Sequence, residues 1–185
     1  MESTRDRMIA TAANLFGRQG YHATGVQELL TAGQLPRGSF YFHFPGGKEQ
    51  LACAALTQVG EQLRLVMEGV VAGRARVEEA VRAVVHFLAE RLTASAFADG
   101  CPIAAVAGEM ASTSEPIRGA CSLVYADWTR VLAERLIAEG RTPERAEELA
   151  TALLAMIEGA LLLARTHRTV APLQAISAVI PAVLS

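Results

Sequence analysis

The sequence predicts an all-α protein with an N-terminal three-helix helix-turn-helix domain and a larger C-terminal helical domain. Apolar residues recur at helical spacing along most of the 185 residues, about half of which are apolar. Ala, Leu, Glu and Arg are frequent, which favours helix over strand. Gly and Pro separate the periodic segments. We expect the domain boundary at residue 48, which gives domains 1–48 and 49–185.

The first helix is expected over residues 3–18. Ser3 suits its N-cap, and Asp6 places a negative charge in the first turn, where the helix dipole favours it. Gly20 suits the position just after the helix, because glycine tolerates the left-handed conformation found there. The inward stripe of this helix consists of Ile9, Ala12, Ala13 and Phe16.

Two short helices joined by a tight turn are predicted next. Thr24 is expected to cap the first of them, with Gln27 completing a capping box. Gly33 would form the turn, since glycine adopts positive φ without steric cost. Pro36 fits a first helical turn, and residues 37–42 would form the second helix. This layout is a helix-turn-helix whose second helix is placed to enter a DNA major groove.

The polar residues of the second helix are the expected DNA contacts. Arg37 carries a fork that suits a guanine edge or a phosphate, and Gly38 lets the backbone approach a base. Ser39 can donate or accept, and Tyr41 and His43 have polar tips that suit phosphates. The full predicted set is Thr24, Arg37, Gly38, Ser39, Tyr41, His43 and Lys48. Phe40, Phe42 and Phe44 are expected to pack inside. The alternative is an ordinary helical hairpin with a glycine turn.

Specific residues in this region resemble the N-terminal signature of the TetR family of one-component transcription regulators. They are Phe16, Gly20, Tyr21, Thr24, the run GSFYFHF over 38–44, Lys48 and Glu49. The resemblance is close over residues 5–56 and extends to the whole chain by length and helical pattern. It implies a dimer of all-helical subunits, each with a DNA-binding head and a larger body that binds a small molecule.

The remaining chain is predicted to continue as helices. A long helix from Lys48 to Gly69 or Gly73 is either a connector for a signal or a passive strut. Thr142 and Pro143 are expected to open a later helix as N-cap and first residue, and Pro181 is expected to bend or stop the last one. The other predicted helical segments are 77–94, 103–110, 115–139, 142–168 and the segment from Pro172.

Residues 149–164 are apolar on nearly every side, whereas a helix on the surface of a monomer has a polar face. Burial in its own core and against a second subunit explains this pattern, and the TetR resemblance implies a four-helix bundle across the dimer axis. We expect Leu161 to lie in that interface. Glu158 is the charged exception, either paired with a neighbouring helix or serving as a polar anchor for a ligand.

The C-terminal half resembles the LmrA/YxaF-like subgroup of the same family. The resemblance lies in residues 100–103, residues 109–111, Trp128 and residues 158–160. It implies control of drug-efflux or detoxification genes by a mainly apolar effector. A pocket for that effector is expected from aromatic and flexible apolar side chains with one polar anchor: Phe87, Met110, Tyr125, Trp128, Met156 and Glu158. Ordinary core packing is the alternative for each of them.

Charge and cysteine content give weaker constraints. Residues 1–55 contain five basic and four acidic residues, against 12 and 15 in the remainder, so only the N-terminal part is slightly basic. Cys53, Cys101 and Cys121 are widely spaced, and we expect neither a zinc site nor a disulfide. We also expect no cofactor, no metal, no membrane segment and a cytoplasmic location.

These observations favour a homodimeric regulator of double-stranded operator DNA, a repressor that a small apolar effector releases. Two alternatives remain open. One is a helical protein that sequesters a small molecule without binding DNA. The other is an enzyme with His86, Glu109 and Cys101 as a catalytic set, although no spacing motif supports it.

Overall fold

The computed structural model describes residues 3–74 and 76–185, and these residues form nine α-helices. A 3₁₀ turn at Arg37–Ser39 leads directly into the third helix. The helices are α1 (Thr4–Ala23), α2 (Val26–Ala32), α3 (Phe40–His43), α4 (Gly47–Ala72), α5 (Val77–Ala94), α6 (Pro102–Met110), α7 (Glu115–Ala138), α8 (Pro143–His167) and α9 (Ala171–Leu184). The all-α prediction is confirmed.

The chain packs as two compact units. The first contains the described residues up to Gln62 together with Cys101–Val124, and the second contains Leu63–Gly100 and Tyr125–Ser185. Helices α4 and α7 each contribute residues to both units. The grouping concerns packing, so the functional boundary expected at residue 48 stays a prediction.

Helix α1 begins as the sequence predicts and ends later. Ser3 is its N-cap, and the Ser3 hydroxyl oxygen accepts from the Asp6 N–H at 3.1 Å. Gly20 has φ +82° and ψ −178°, so it interrupts the helical backbone, and the helix resumes briefly as far as Ala23. The break predicted at Gly20 is therefore present, although the element does not stop there.

The capping box predicted at Thr24 is wrong. Thr24 is 1% exposed, and its hydroxyl donates to the Gly20 carbonyl at 2.7 Å. The Thr24 N–H donates to the Tyr21 carbonyl at 3.2 Å. Gly25 is the N-cap of α2 instead, and its N–H donates to the Glu28 carboxylate at 3.4 Å. Two overlapping patterns, one residue apart, competed for the same helix start, and the structure uses the second.

The turn between α2 and α3 uses its glycine differently from the prediction. Gly33 has φ −81°, and the positive φ of +51° falls on Gln34. Close packing excludes a side chain at Gly33, because a Cβ there would lie 2.6 Å from Leu35 Cδ1 and 2.9 Å from Thr11 Oγ1. The Gly33 carbonyl accepts from Arg7 Nη2 at 2.6 Å, which ties the turn to α1.

Three phenylalanines of the α3 region divide between core and surface. Phe40 and Phe44 are 1% and 0% exposed, as predicted, whereas Phe42 is 82% exposed. Helical geometry explains the difference, because residues four apart share a face and the residue midway between them points the opposite way. The prediction that Phe42 packs inside is wrong. Pro36 precedes the 3₁₀ turn as its N-cap with ψ 131°, and so lies outside the helical turn where it was expected.

The second unit contains α5, α8 and α9, together with parts of α4 and α7. The Glu139 carboxylate joins two of these elements, since it accepts from the Val77 N–H at 2.5 Å and from Arg135 Nε at 2.9 Å. Thr142 is the N-cap of α8 as predicted, and its hydroxyl oxygen accepts from the Arg145 N–H at 3.3 Å.

Helix α9 continues through Pro181 to Leu184, so of the two outcomes expected at this proline the stop is wrong, and the bend stays a prediction. Proline removes one backbone hydrogen bond from a helix interior. Ile180 and Leu184 flank it and are 0% and 7% exposed, which keeps the last turn against the core. The Leu184 carbonyl accepts from the Arg141 guanidinium and so has a partner beyond the helix.

Helix α8 has one buried apolar face and one exposed apolar face. Leu161 lies on the buried face and is 7% exposed, so its expected place in a subunit interface is wrong. Leu162 and Leu163 are 65% and 50% exposed instead. The sequence cannot separate the two faces when both are apolar, because periodicity needs a polar contrast.

By length and composition alone, α8 is the one helix of the described chain that is apolar enough to cross a membrane, and 44% of the most apolar part is buried inside the protein. Core helices of soluble proteins pass the same test, so this is weak evidence for a span.

Gly60 of α4 generates a stability prediction. A Cβ at this buried position would overlap Val124 Cγ2 and lie 2.7 Å from Val124 Cγ1. Overpacking costs about 1–3 kcal/mol, and the better helix propensity of alanine returns up to about 1 kcal/mol. We expect Gly60→Ala to lower the free energy of unfolding by about 1–2 kcal/mol in urea denaturation.

Gly69 on the same helix is the matched control, since a Cβ there meets nothing within 4 Å. Gly69→Ala should raise the free energy of unfolding by about 0.5–1 kcal/mol. Adding Val124→Ala to Gly60→Ala should recover part of the loss. Equal responses at the two glycines would contradict the close packing at Gly60.

Candidate DNA interface

The exposed side of α3 follows from how this short helix is anchored. Phe40 and Phe44 are buried one turn apart, and Phe40 also contacts the Tyr41 ring edge-on with centroids 5.0 Å apart. Tyr41 and Phe42 are left on the outer side, 69% and 82% exposed. A four-residue helix is too short to be stable alone, so the two anchors determine which side chains it presents.

The residues just before α3 extend this outer surface. Arg37 and Gly38 are exposed, and a Cβ at Gly38 would meet nothing within 4 Å, so the backbone is open to a close approach. Ser39 is half-buried, and its hydroxyl donates to the Pro36 carbonyl at 2.7 Å. That proton is used inside the turn, which leaves Ser39 able to accept a hydrogen bond from a ligand.

Two ring contacts flank the end of α3. The Phe42 and His43 rings meet edge to face, with centroids 5.0 Å apart and an interplanar angle of 80°. The Arg5 guanidinium lies 5.4 Å from the centroid of the Phe44 ring. This cation–π contact places the positive charge of Arg5, in addition to that of Arg37, close to α3, next to its C-cap residue Phe44.

Lys48 lies at the start of α4 and is half-buried. Its Nζ lies 4.1 Å from the centroid of the Tyr21 ring, in a cation–π contact. Burial lowers the pKa of Lys48, and the nearby Glu109 carboxylate opposes that shift. Burial, followed by the charge of Glu49, raises the pKa of the Tyr21 hydroxyl. The ammonium of Lys48 therefore helps to hold α1 against α4.

Glu109 of α6 has a structural role that no local sequence pattern predicts. Its carboxylate accepts from the His22 N–H at 2.7 Å, just after the kink in α1. A Cβ at Gly20 would overlap Glu109 Oε1, so the missing side chain of Gly20 makes the space that the carboxylate fills. The two residues are 89 positions apart, and no local pattern connects them.

A second carboxylate ties α4 to the start of α7. The Ser114 hydroxyl donates to Glu49 Oε1 at 2.5 Å, and its oxygen accepts from the Ile117 N–H at 3.3 Å. Ser114 is 5% exposed, so this hydrogen bond is shielded from water. Side-chain hydrogen bonds of Glu109 and Glu49 thus join α6 to α1 and α4 to the start of α7.

The predicted DNA-contacting residues thus divide by exposure. The exposed ones are Arg37, Gly38 and Tyr41, and the half-buried ones are Ser39, His43 and Lys48. Thr24 is buried with both its hydroxyl and its amide engaged inside the protein. We therefore leave Thr24 out of the contact surface.

The predicted effector residues differ in exposure and are divided between the two compact units. Trp128 is 4% exposed and meets the Tyr125 ring edge-on, with centroids 5.8 Å apart. Phe87 is 41% exposed, and the Arg91 guanidinium lies 5.9 Å from its ring centroid.

The remaining predicted effector residues lie in both compact units. Met110 belongs to the first compact unit. Met156 and Glu158 are half-buried in the second unit. Their grouping around a ligand stays a prediction.

The three residues of the alternative catalytic set, His86, Glu109 and Cys101, lie in three different structural settings. Glu109 is used by the His22 N–H, and His86 is exposed with its Nδ1 3.6 Å from Glu90 Oε2 on the same helix. Cys101 is the N-cap residue of α6. Burial raises the pKa of another thiol, Cys121, to about 11, so it stays protonated at neutral pH and is a poor nucleophile.

Two family profiles match the chain. Residues 8–55 match the profile described as bacterial regulatory proteins of the tetR family, and residues 78–179 match the C-terminal domain of LmrA/YxaF-like transcriptional regulators. The second match alone covers more than half of the chain, and the first covers the helix-turn-helix described above.

Individual relatives are similar over nearly the full length. The HTH-type transcriptional regulator LmrA of Bacillus subtilis is 35% identical over 181 residues, which cover 98% of this chain and 96% of LmrA. YxaF of the same organism, also named an HTH-type transcriptional regulator, is 34% identical over 178 residues and 96% and 93% of the two chains. A crystal structure of a TetR transcriptional regulator from Legionella pneumophila superposes with a TM-score of 0.86 at 22% identity, over 100% of this chain and 99% of that one, and so shows a shared fold.

Removal of the Glu109 carboxylate should destabilise the first compact unit. Glu109→Ala leaves the His22 N–H without its acceptor, and a lost partner of this kind costs about 1–3 kcal/mol. We expect that loss in the free energy of unfolding, and a smaller loss for Glu109→Gln, which keeps one carbonyl oxygen as an acceptor.

Glu90→Ala is the control, because that carboxylate is exposed and lies 3.6 Å from Nδ1 of the exposed His86 on its own helix. Its effect should stay within about 0.5 kcal/mol, as for most surface changes. If denaturation curves of Glu109→Ala and Glu90→Ala coincided, the hydrogen bond to His22 would not hold the kink of α1.

Proposed function

Because the chain belongs to the TetR family of transcriptional regulators, and to its LmrA/YxaF-like group, we propose that it is a cytoplasmic, homodimeric repressor of double-stranded operator DNA that a small apolar molecule releases. The resemblance noted in both halves of the sequence is confirmed. Members of this family bind operator DNA and act as dimers. One observation supports the DNA-binding part best: the anchored α3 presents an outer surface continuous with Arg37 and Gly38.

That surface has the chemistry of a DNA-reading element. The Arg37 guanidinium provides two parallel donors that match the guanine edge in the major groove. Exposed Tyr41 provides a hydroxyl that suits a phosphate oxygen, and Gly38 allows close approach of the backbone. The overall charge of −2 gives little long-range attraction, so affinity must come from these local contacts, doubled in a dimer.

A homodimer formed through α8 and α9 accounts for their exposed apolar faces. Helices α8 and α9 pack on each other in the second unit. Large exposed apolar surfaces mark protein interfaces. Besides Leu162 and Leu163, the exposed residues of this surface are Ala152, Ala155, Gly159, Ala171, Ala175, Ala178, Val179 and Ala182. A second copy covers it best, since the small residues allow close helix packing and a two-fold axis pairs identical faces.

Release by an apolar effector is supported by the residues of the C-terminal half. The buried Trp128 and its neighbour Tyr125 offer aromatic surface, and Met156 is a flexible apolar side chain. An effector releases DNA only if it binds better to the conformation that fits the operator less well. We propose efflux or detoxification genes as the targets, in keeping with the LmrA/YxaF-like resemblance.

The enzyme alternative is not supported. The matching families and full-length relatives are transcriptional regulators, and Glu109 is engaged in holding the kink of α1. The alternative of a small-molecule-sequestering protein differs from our proposal only in its lack of DNA binding. Selection of duplexes from a random pool by the purified protein separates the two: enrichment of a near-palindromic sequence supports the repressor, and no enrichment rejects it.

Arg37 provides the sharpest test of base reading. Arg37→Ala should weaken binding to the selected duplex by about 1–3 kcal/mol and relax the base preference at one position of each half-site, because one bidentate contact is lost. Binding to a scrambled duplex should change much less. Titration of both duplexes at one fixed salt concentration measures the difference.

Arg76→Ala is the matched control, since Arg76 is exposed before α5 and lies outside the proposed DNA surface. It should leave both affinities unchanged. An equal loss of affinity for selected and scrambled DNA in Arg37→Ala would assign Arg37 to a phosphate and remove its base-reading role.

Leu162 and Leu161 provide a matched test of the dimer. Leu162→Arg places a charge on the exposed face of α8, and we expect a folded monomer in sedimentation, with operator affinity much reduced. Leu161→Arg buries the charge inside the subunit and should instead lower the free energy of unfolding by several kcal/mol. A Leu162→Arg protein that sediments as a dimer at micromolar concentration would place the interface elsewhere.

A further inference from the structure

Phe42 is the most exposed large apolar side chain of the described residues, at 82%. It is two residues from each of the buried anchors Phe40 and Phe44, so it points away from the core. An exposed phenylalanine on a short, anchored helix is unfavourable in water. This exposure suggests that another molecule covers the ring when the protein acts.

The ring has no hydrogen-bonding atom, and this restricts what it can recognise on DNA. Phosphate oxygens and most base edges in the major groove require a donor or an acceptor. The C5 methyl group of thymine is the apolar feature of that groove, and phenylalanine is one of the side chains that suit it. We propose that Phe42 contacts a thymine methyl and makes operator recognition depend on thymine at one position of each half-site.

Neighbouring contacts hold the ring ready for this role. The His43 ring lies edge to face with it, centroids 5.0 Å apart, which limits its rotation. Arg37 and Gly38 precede the same short helix and are exposed. The inference rests on the proposed DNA binding, and it makes Phe42, which the sequence pattern alone places in the core, a specificity determinant.

The test uses the full-length protein and the duplex selected from a random pool. Each thymine of one half-site is replaced in turn by deoxyuridine, which removes only the methyl group. In the parent protein, one replacement should lower the affinity about fourfold, the value expected for one buried methyl group. In Phe42→Ala, the affinity should already be lower, and the same replacement should have no further effect.

Tyr41→Phe is the matched control, because Tyr41 is a neighbouring exposed aromatic residue with a hydroxyl group. It should weaken binding to every duplex alike and keep the fourfold effect of the deoxyuridine replacement. Phe42→Leu should keep part of that effect, since leucine still offers an apolar contact. Thermal unfolding of all variants should match the parent within a few degrees, because neither position is buried.

The outcomes separate this inference from the proposed function. Failure to select any duplex would reject DNA binding and the inference together. A selected duplex whose deoxyuridine effects are the same in the parent and in Phe42→Ala would overturn the methyl contact and leave the repressor proposal standing. The same conclusion holds if Phe42→Ala weakens selected and scrambled duplexes equally, because the ring would then pack on the sugar-phosphate backbone.

Discussion

The hydrogen bond from the His22 N–H to the Glu109 carboxylate is the interaction on which the N-terminal unit depends. It lies where α1 is interrupted, and a kinked helix end exposes backbone donors that need partners. Gly20 contributes a positive φ and also the space for the carboxylate. If the kink opened, the Thr24 hydroxyl would lose the Gly20 carbonyl as its acceptor, and the entry into α2 would lose its fixed direction.

Several weaker contacts act on the same framework from different helices. Arg7 fixes the turn after α2, the Lys48 ammonium packs on the Tyr21 ring, and the Ser114 hydroxyl binds Glu49. Each joins residues that are far apart in sequence. A short recognition helix has little stability of its own, so its orientation depends on such contacts. The orientation of α3 thus depends on residues that lie outside this helix.

Local sequence rules predicted the helices well and the details of their ends less well. Ser3 and Thr142 are the N-caps that the sequence predicts, whereas at α2 the patterns beginning at Thr24 and Gly25 overlap, and the structure uses the second. The sequence predicts a turn glycine at Gly33, but the reason for the glycine is that Leu35 and Thr11 leave no room for a side chain there, and only the folded chain brings these residues together.

The apolar character of Phe42 and Leu161 does not indicate whether the side chain lies in the core or on the surface. The role of Glu109 could not be predicted, because its hydrogen-bond partner His22 lies 87 residues away in the sequence.

The two apolar faces of α8 have a consequence for how the molecule behaves in solution. If a second copy covers Leu162 and Leu163, as proposed above, part of the apolar surface is buried only on dimerisation, and the free energy of unfolding then depends on protein concentration. The midpoint of thermal denaturation would then rise with protein concentration, even though no covalent feature changes. In a cell, the fraction of correctly folded regulator would depend on how much of it is made, and a gene expressed at a low level would yield proportionally less of the competent form.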